Sequence, residues 1–347
     1  MSAEHGMMRS LGASLGIDRL RLLLPGLIAA MTVGLAARFL SEHYGVPVML
    51  MALLLGMALA FLSDAGSRTA PGIEFTAKTV LRFGVGLLGL GITAQQIAGA
   101  GLGVLALTVA GVALTLTLGI VGARLLGKSV YFGILSGGAV AICGASAALA
   151  IASVLPKDNK DLERDTVFTV IAVTALSTLA MILYPIVGSA LGMSDYTMGV
   201  FFGATIHDVA QVVGAGYSVS DLAGSTATFV KLLRVALLVP LVVVLSLVFA
   251  RSGHAAGTPV PRLPIPFFVL GFAALVLIGS TDILPPELVS ALLGLSRWCL
   301  VTAIAALGMK TSLRKLGDVG PRSIILVCAL TLMLAGFALA GIHMFLS

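Results

Sequence analysis

Apolar runs of about 20 residues, each closed by a short polar or glycine-proline break, recur from Leu22 to Leu346, and that is the length needed to cross a hydrocarbon core of roughly 30 Å. Breaks at Gly, Pro and charge clusters divide the chain into about eleven helical spans. They run over 22 to 40, 46 to 63, 76 to 97, 102 to 124, 130 to 155, 166 to 191, 197 to 217, 225 to 250, 264 to 281, 287 to 312 and 321 to 346. The pattern predicts an all-α polytopic membrane protein. Residues 1 to 21 carry Arg9, Arg19 and Arg21 ahead of the first run. No small-residue cleavage signature follows, so a retained first helix is expected in place of a signal peptide.

Composition sharpens this picture. Of 347 residues, 59% are apolar and only 10% charged, and the mean hydropathy of +1.11 lies far outside the soluble range. The net charge of +6 is spread among loops without interleaved aromatics, so nucleic acid is not an expected partner. Arg68, Arg124, Lys128, Arg251, Arg262, Lys310, Arg314, Lys315 and Arg322 fall on the same side of the count as the N-terminal arginines. The positive-inside rule makes that side the cytoplasm of a bacterial inner membrane. The loop PKDNKDLERD, 156 to 165, falls opposite, its three cations accompanied by four acids. Cys143, Cys299 and Cys328 show neither CxxC nor Cys/His spacing, so no disulfide framework or metal site is expected.

Two stretches repeat. AKTVLRFGVGLL, 77 to 88, resembles FVKLLRVALLVP, 229 to 240, so that Lys78 and Arg82 answer to Lys231 and Arg234. The offset of five spans is odd, which sets the copies in opposite senses across the membrane. Residues 46 to 191 and 197 to 346 then form two inverted five-helix repeats, and 22 to 40 is an extra helix.

Ionisable groups inside a span cost several kcal/mol unless paired or hydrated. At 1.5 Å per residue, His207 and Asp208 lie about 15 Å below the outer surface, level with Arg234, and Arg297 arrives at a similar depth. The plainer reading pairs Asp208 with Arg234 and leaves His207 as a packing residue. It leaves Lys231, Arg82 and Arg297 without acids at that depth, and an anion would supply the missing charge. His207 and Gln211 are four apart, on one helix face with Gly203 and Gly214. A second constellation, SGGAVAICGASAALAIAS from 136 to 153, is poor material for a rigid helix. Its glycines serve either close helix packing or a discontinuous helix whose N-H groups face an anion. Ser136, Gly137, Gly138, Gly144 and Ser146 are its candidate contacts. GLGITA, 89 to 94, lacks a preceding strand and is discarded as a dinucleotide motif; no Walker A pattern occurs.

SGGAVAICGASAALA, GATIHDVAQVVGAG, KLLRVALLVP and ALGMKTSL resemble the bacterial YeiH-type membrane proteins, designated a sulfate exporter family, over nearly the whole chain. That family is similar to the bile acid:sodium symporters and cation:proton antiporters. The resemblance implies two inverted five-helix repeats and discontinuous crossing helices, broken at span five with Gly137 and Gly138 and at span ten with Arg297 to Thr311. One departure is Gly91, where relatives carry a basic residue.

These readings converge on a secondary active transporter of a small anion, sulfate or an organic sulfonate or carboxylate, working by alternating access. Lys231 and Arg234 are the expected substrate cations, and His207 with Asp208 the coupling or gating pair. No cofactor and no enzymatic activity are expected. A coupling proton or sodium ion is left open, as is a homodimer. The rivals are a cation:proton antiporter using Asp208, and a structural or sensor membrane protein with a fixed ion pair.

Overall fold

The computed structural model describes residues 2–93, 101–156, 161–251, 267–281, 283–311 and 321–345. Among them every regular element is helical. In chain order they are α1 Ser2–Tyr44, α2 Val48–Ala58, α3 Ala70–Phe75, α4 Leu81–Leu88, α5 Gly101–Leu125, α6 Val130–Ala141, α7 Ala145–Ala152, α8 Leu162–Ala190, α9 Asp195–Thr205, α10 Val209–Val219, α11 Asp221–Ala236, α12 Leu238–Arg251, α13 Phe267–Gly279, α14 Pro286–Lys310 and α15 Pro321–Phe345. Six stretches are long and apolar enough to cross a bilayer: Arg19–Tyr44, Leu102–Leu125, Leu162–Ala190, Asp221–Phe249, Pro286–Lys310 and Pro321–Phe345. Val48–Ala58, Val130–Ala141, Val209–Val219 and Phe267–Gly279 are shorter apolar helices.

The chain divides into two compact units, one of Met1–Gly84 with Gly294–Thr311, the other of Val85–Leu293 with Ser312–Ser347. In the first, backbones meet where side chains are missing. A Cβ on Gly26 would lie 2.1 Å from the Thr69 carbonyl oxygen, and one on Gly56 would lie 2.3 Å from that of Ala305. Such contacts are how membrane helices gain van der Waals energy without a hydrophobic driving force. Arg38 lies over the Trp298 ring at 4.9 Å. A π-helical stretch, Thr76–Val80, joins α3 to α4.

The second unit is built around interrupted helices. Serine side chains start three of its elements: Ser129 accepts from the Phe132 N-H, Ser194 from Thr197 and Ser220 from Ala223, each satisfying a donor the helix leaves open. α6 packs on α5 through Gly119, Gly133 and Gly137, and α11 is gripped by Gly199 and Gly203 of α9 and by Gly216 of α10. One apolar cluster joins Phe132, Leu135, Val140, Ile151, Phe168, Val173, Val327 and Leu330. Another joins Ile142, Cys143, Ala147, Val235, Leu238 and Val242.

The expected discontinuity of span five is present, between α6 and α7; its place, and the break expected in span ten, are corrected. Gly137 and Gly138 lie inside α6, where a Cβ on the first would crowd Gly119 and Thr115 and one on the second would crowd Ile151. The interruption falls instead at Ile142–Gly144, because Gly144 adopts φ +60, ψ −124, a conformation that only glycine holds without strain. The other correction concerns span ten. α14 is continuous from Pro286 to Lys310, and the second interruption falls in span seven, where Ile206 and Asp208 are extended between α9 and α10.

Candidate functional site

The two interruptions touch. A Cβ on Gly144 would lie 3.5 Å from the His207 Cβ. Each break ends one helix and begins another, so two C-terminal ends and two N-terminal ends gather there, with open carbonyls on one pair and open N-H groups on the other.

α11 supplies the cations for the carbonyls, since Lys231 and Arg234 project from the same face, three residues apart. The Lys231 ammonium donates to the carbonyls of Ile142, Ile206 (2.9 Å) and His207, which uses all three of its hydrogens. Arg234 donates from Nε to Ala141 at 2.8 Å, from one terminal nitrogen to Gly203 and Ile206 at 3.1 Å, and from the other to Val140 at 2.8 Å. Both side chains are fully buried. Two cations thus cap the ends of α6 and α9 together, where each C-terminus carries about half a negative charge. Here they hold helix ends, and the guanidinium that the plainer reading paired with Asp208 is directed at four carbonyls. The sequence signal for this role is weak, because a backbone acceptor leaves no residue type behind.

The N-terminal ends are treated differently. Asp208 caps α10, its carboxylate accepting from the Ala210 N-H at 2.9 Å, while its own N-H donates to Ser177 Oγ at 3.0 Å. α7 starts at Gly144 with no side-chain cap, and Ser146 in its first turn is exposed. Ser136 is buried within α6 and donates to the Phe132 carbonyl at 2.7 Å.

His207 is buried, with Nδ1 3.1 Å from the Val140 carbonyl and Nε2 3.0 Å from Thr331 Oγ1. A carbonyl only accepts, so Nδ1 carries a hydrogen. Thr331 Oγ1 also lies 2.9 Å from the Val327 carbonyl. With a neutral ring its hydroxyl turns to Nε2; with a charged ring Nε2 donates to it and the hydroxyl turns to Val327. Either protonation state is satisfied.

Gln211, one turn along α10 from Asp208, is also fully buried. Its Nε2 donates to Thr178 Oγ1 at 3.4 Å, and Thr178 in turn donates to the Thr174 carbonyl at 3.0 Å. The α8 hydroxyls of Ser177 and Thr178 are site residues that sequence reasoning missed, since hydroxyls in apolar helices usually bond their own preceding turn.

The structure brings Ser136, Gly144, Ser146, His207, Asp208, Gln211, Lys231 and Arg234 into the second unit. Arg82 and Arg297 belong to the first and are both exposed. Lys78, matched to Lys231 in sequence, is exposed and pairs with Glu74. Gly91 ends a 3-10 turn, exposed, with Leu293 3.3 Å from a would-be Cβ.

Known proteins agree with the resemblance over this length. The model of the family described as Conserved hypothetical protein 698 matches residues 25–327. A UPF0324 membrane protein of Chlorobaculum tepidum is 49% identical over 338 residues, 97% of this chain and 93% of that protein. The UPF0324 membrane protein TauZ of Paracoccus denitrificans is 52% identical over 322 residues, 92% of this chain and 94% of its own. Among solved structures, a sodium proton antiporter from Methanocaldococcus jannaschii aligns over 92% of this chain and 99% of its own, with 13% identity and a TM-score of 0.29, too low to define a shared fold. With apolar spans, matched motifs and relatives near half identity over almost its full length, the chain belongs to the UPF0324 family of membrane proteins.

Proposed function

We propose that the protein is a secondary transporter of a small anion, working by alternating access in the bacterial inner membrane. The observation that carries this reading is charge. The four half-helix ends at the crossing roughly cancel one another, and Lys231 and Arg234 then face one carboxylate, that of Asp208, leaving about one unit of positive charge. The uncapped N-terminus of α7 offers N-H donors at the same place, the arrangement by which broken membrane helices hold anionic groups. The anion is sulfate or an organic sulfonate or carboxylate. It is bound by α7 at Gly144 and Ser146, while Lys231 and Arg234 set the field. His207 and Asp208 couple or gate the cycle. The same reading includes eleven spans, two inverted five-helix repeats and a cytoplasmic N-terminus.

A ligand that binds the folded state alone raises its melting temperature. The purified full chain should therefore gain a saturable rise in Tm with sulfate or an alkyl sulfonate over chloride at matched ionic strength. Equal melting in all anions, together with no counterflow of labelled sulfate, sulfonate or carboxylate in proteoliposomes, overturns the proposal.

A further inference from the structure

Among the described residues, Gln211 Oε1 is the buried side-chain oxygen or nitrogen without a hydrogen-bond partner. Such an atom costs about 1–3 kcal/mol. Turning the amide over does not relieve it. Thr178 Oγ1 already spends its hydrogen on the Thr174 carbonyl, so it receives the amide nitrogen well and would meet an amide oxygen lone pair to lone pair.

The surroundings of that oxygen are rich in further oxygens. Asp208 sits three residues earlier on the same helix face. Its backbone N-H is tied to Ser177, and the Gln211 side-chain amide to Thr178, so the start of α10 that carries both residues is fastened to one turn of α8. The set is one carboxylate, one amide oxygen and two hydroxyls, which is the chemistry of a hard cation. A single carboxylate among neutral oxygens suits a monovalent ion better than a divalent one, whose sites recruit more charge. The open carbonyls of broken helices, the other places where a transporter takes up sodium, are occupied here by Lys231 and Arg234.

We infer that Asp208, Gln211, Ser177 and Thr178 form a binding site for a dehydrated monovalent metal cation of sodium size. As a coupling site this rests on the transporter reading, but cation binding itself does not. One added positive charge beside a centre of about one unit positive makes the pair complementary to a dianion such as sulfate.

The test is thermal unfolding of the purified full chain in NaCl, KCl and choline chloride at equal ionic strength and fixed pH, without sulfate. Sodium should raise Tm saturably, by about 2 °C at tenfold its Kd, and choline should not. Gln211→Met, which removes the orphan oxygen while keeping length, should abolish the sodium-specific rise. Thr178→Val should weaken it and serves if the first variant does not fold. Identical melting in the three salts overturns the site, as does either variant keeping the full sodium response. A sulfate response without a sodium response removes this site and leaves the proposed function standing; a sodium response with equal melting in all anions and no anion counterflow does the reverse.

Discussion

Glu74 shows how one side chain can hold two segments of a membrane protein. It lies between Lys78, four residues on, and Lys310 at the end of α14, all within the first unit. Partial burial pushes its carboxyl up, yet the bonds and charges of Lys310 and Lys78 outweigh that, and the net value falls below the usual 4.5. A carboxyl lowered on folding contributes stability that is complete above its unfolded value and is lost as pH falls through the folded one. Acid should therefore loosen the α3–α14 contact below pH 4.5. Glu74→Gln should flatten the acid limb of a Tm-against-pH curve and change little near neutrality, because the pair is part exposed and worth a modest amount. An unchanged acid limb in that variant would remove Glu74 from the contact. Nothing in the sequence marks Glu74 as the partner of Lys310, since 236 residues separate them. His207, Asp208, Lys231 and Arg234, by contrast, stand out in any reading as charges set in apolar runs.

Helix interruptions were less legible than buried charges. IHDVAQ carries no local sign of a break, and within SGGAVAICGASAALAIAS, poor helix material as a whole, the glycine pair at 137–138 is a stronger local signal than Gly144. It proved to be a packing surface, because α5 presents Gly119 opposite and the helix gains more from backbone contact than glycine costs it. Gly144 is the breaker because of its backbone, not its neighbours. A Cβ there would make only ordinary contacts at 3.5 Å, so a substitution reports conformation alone. Gly144→Ala should cost about 1–3 kcal/mol, read as lowered Tm, and should weaken anion-dependent stabilisation by disturbing the first turn of α7. An unchanged Tm would mean that the break does not need its left-handed residue. Gly138→Ala, placed against Ile151 Cδ1 at 2.3 Å, is the contrasting case in which crowding decides.

For the chain as a whole, hydropathy alone was enough for the class and the helical content, because a bilayer permits few ways to satisfy a spanning backbone. Pairing between distant elements was not readable. The match of Lys78 and Arg82 with Lys231 and Arg234 joins two exposed cations to two buried ones, so similarity of short motifs outran similarity of environment. Orientation remains a matter of basic-residue counting. It predicts that a cysteine at Ser347, in a chain with Cys143, Cys299 and Cys328 replaced, reacts in intact cells with an impermeant maleimide. Protection there, with labelling after lysis, reverses the assignment.

The capping of α6 and α9 by α11 also has an order in time. The acceptor carbonyls precede their donors by 89 to 94 residues for α6 and by 24 to 31 for α9 and the break that follows it. A chain made from its N-terminus has both open helix ends before it has the cations that close them. When α11 arrives, a segment carrying Lys and Arg at its core, worth about 2.5 to 3.5 kcal/mol against insertion for each, meets acceptors already made. In the order of synthesis, α11 is therefore the piece that closes two helix ends made before it.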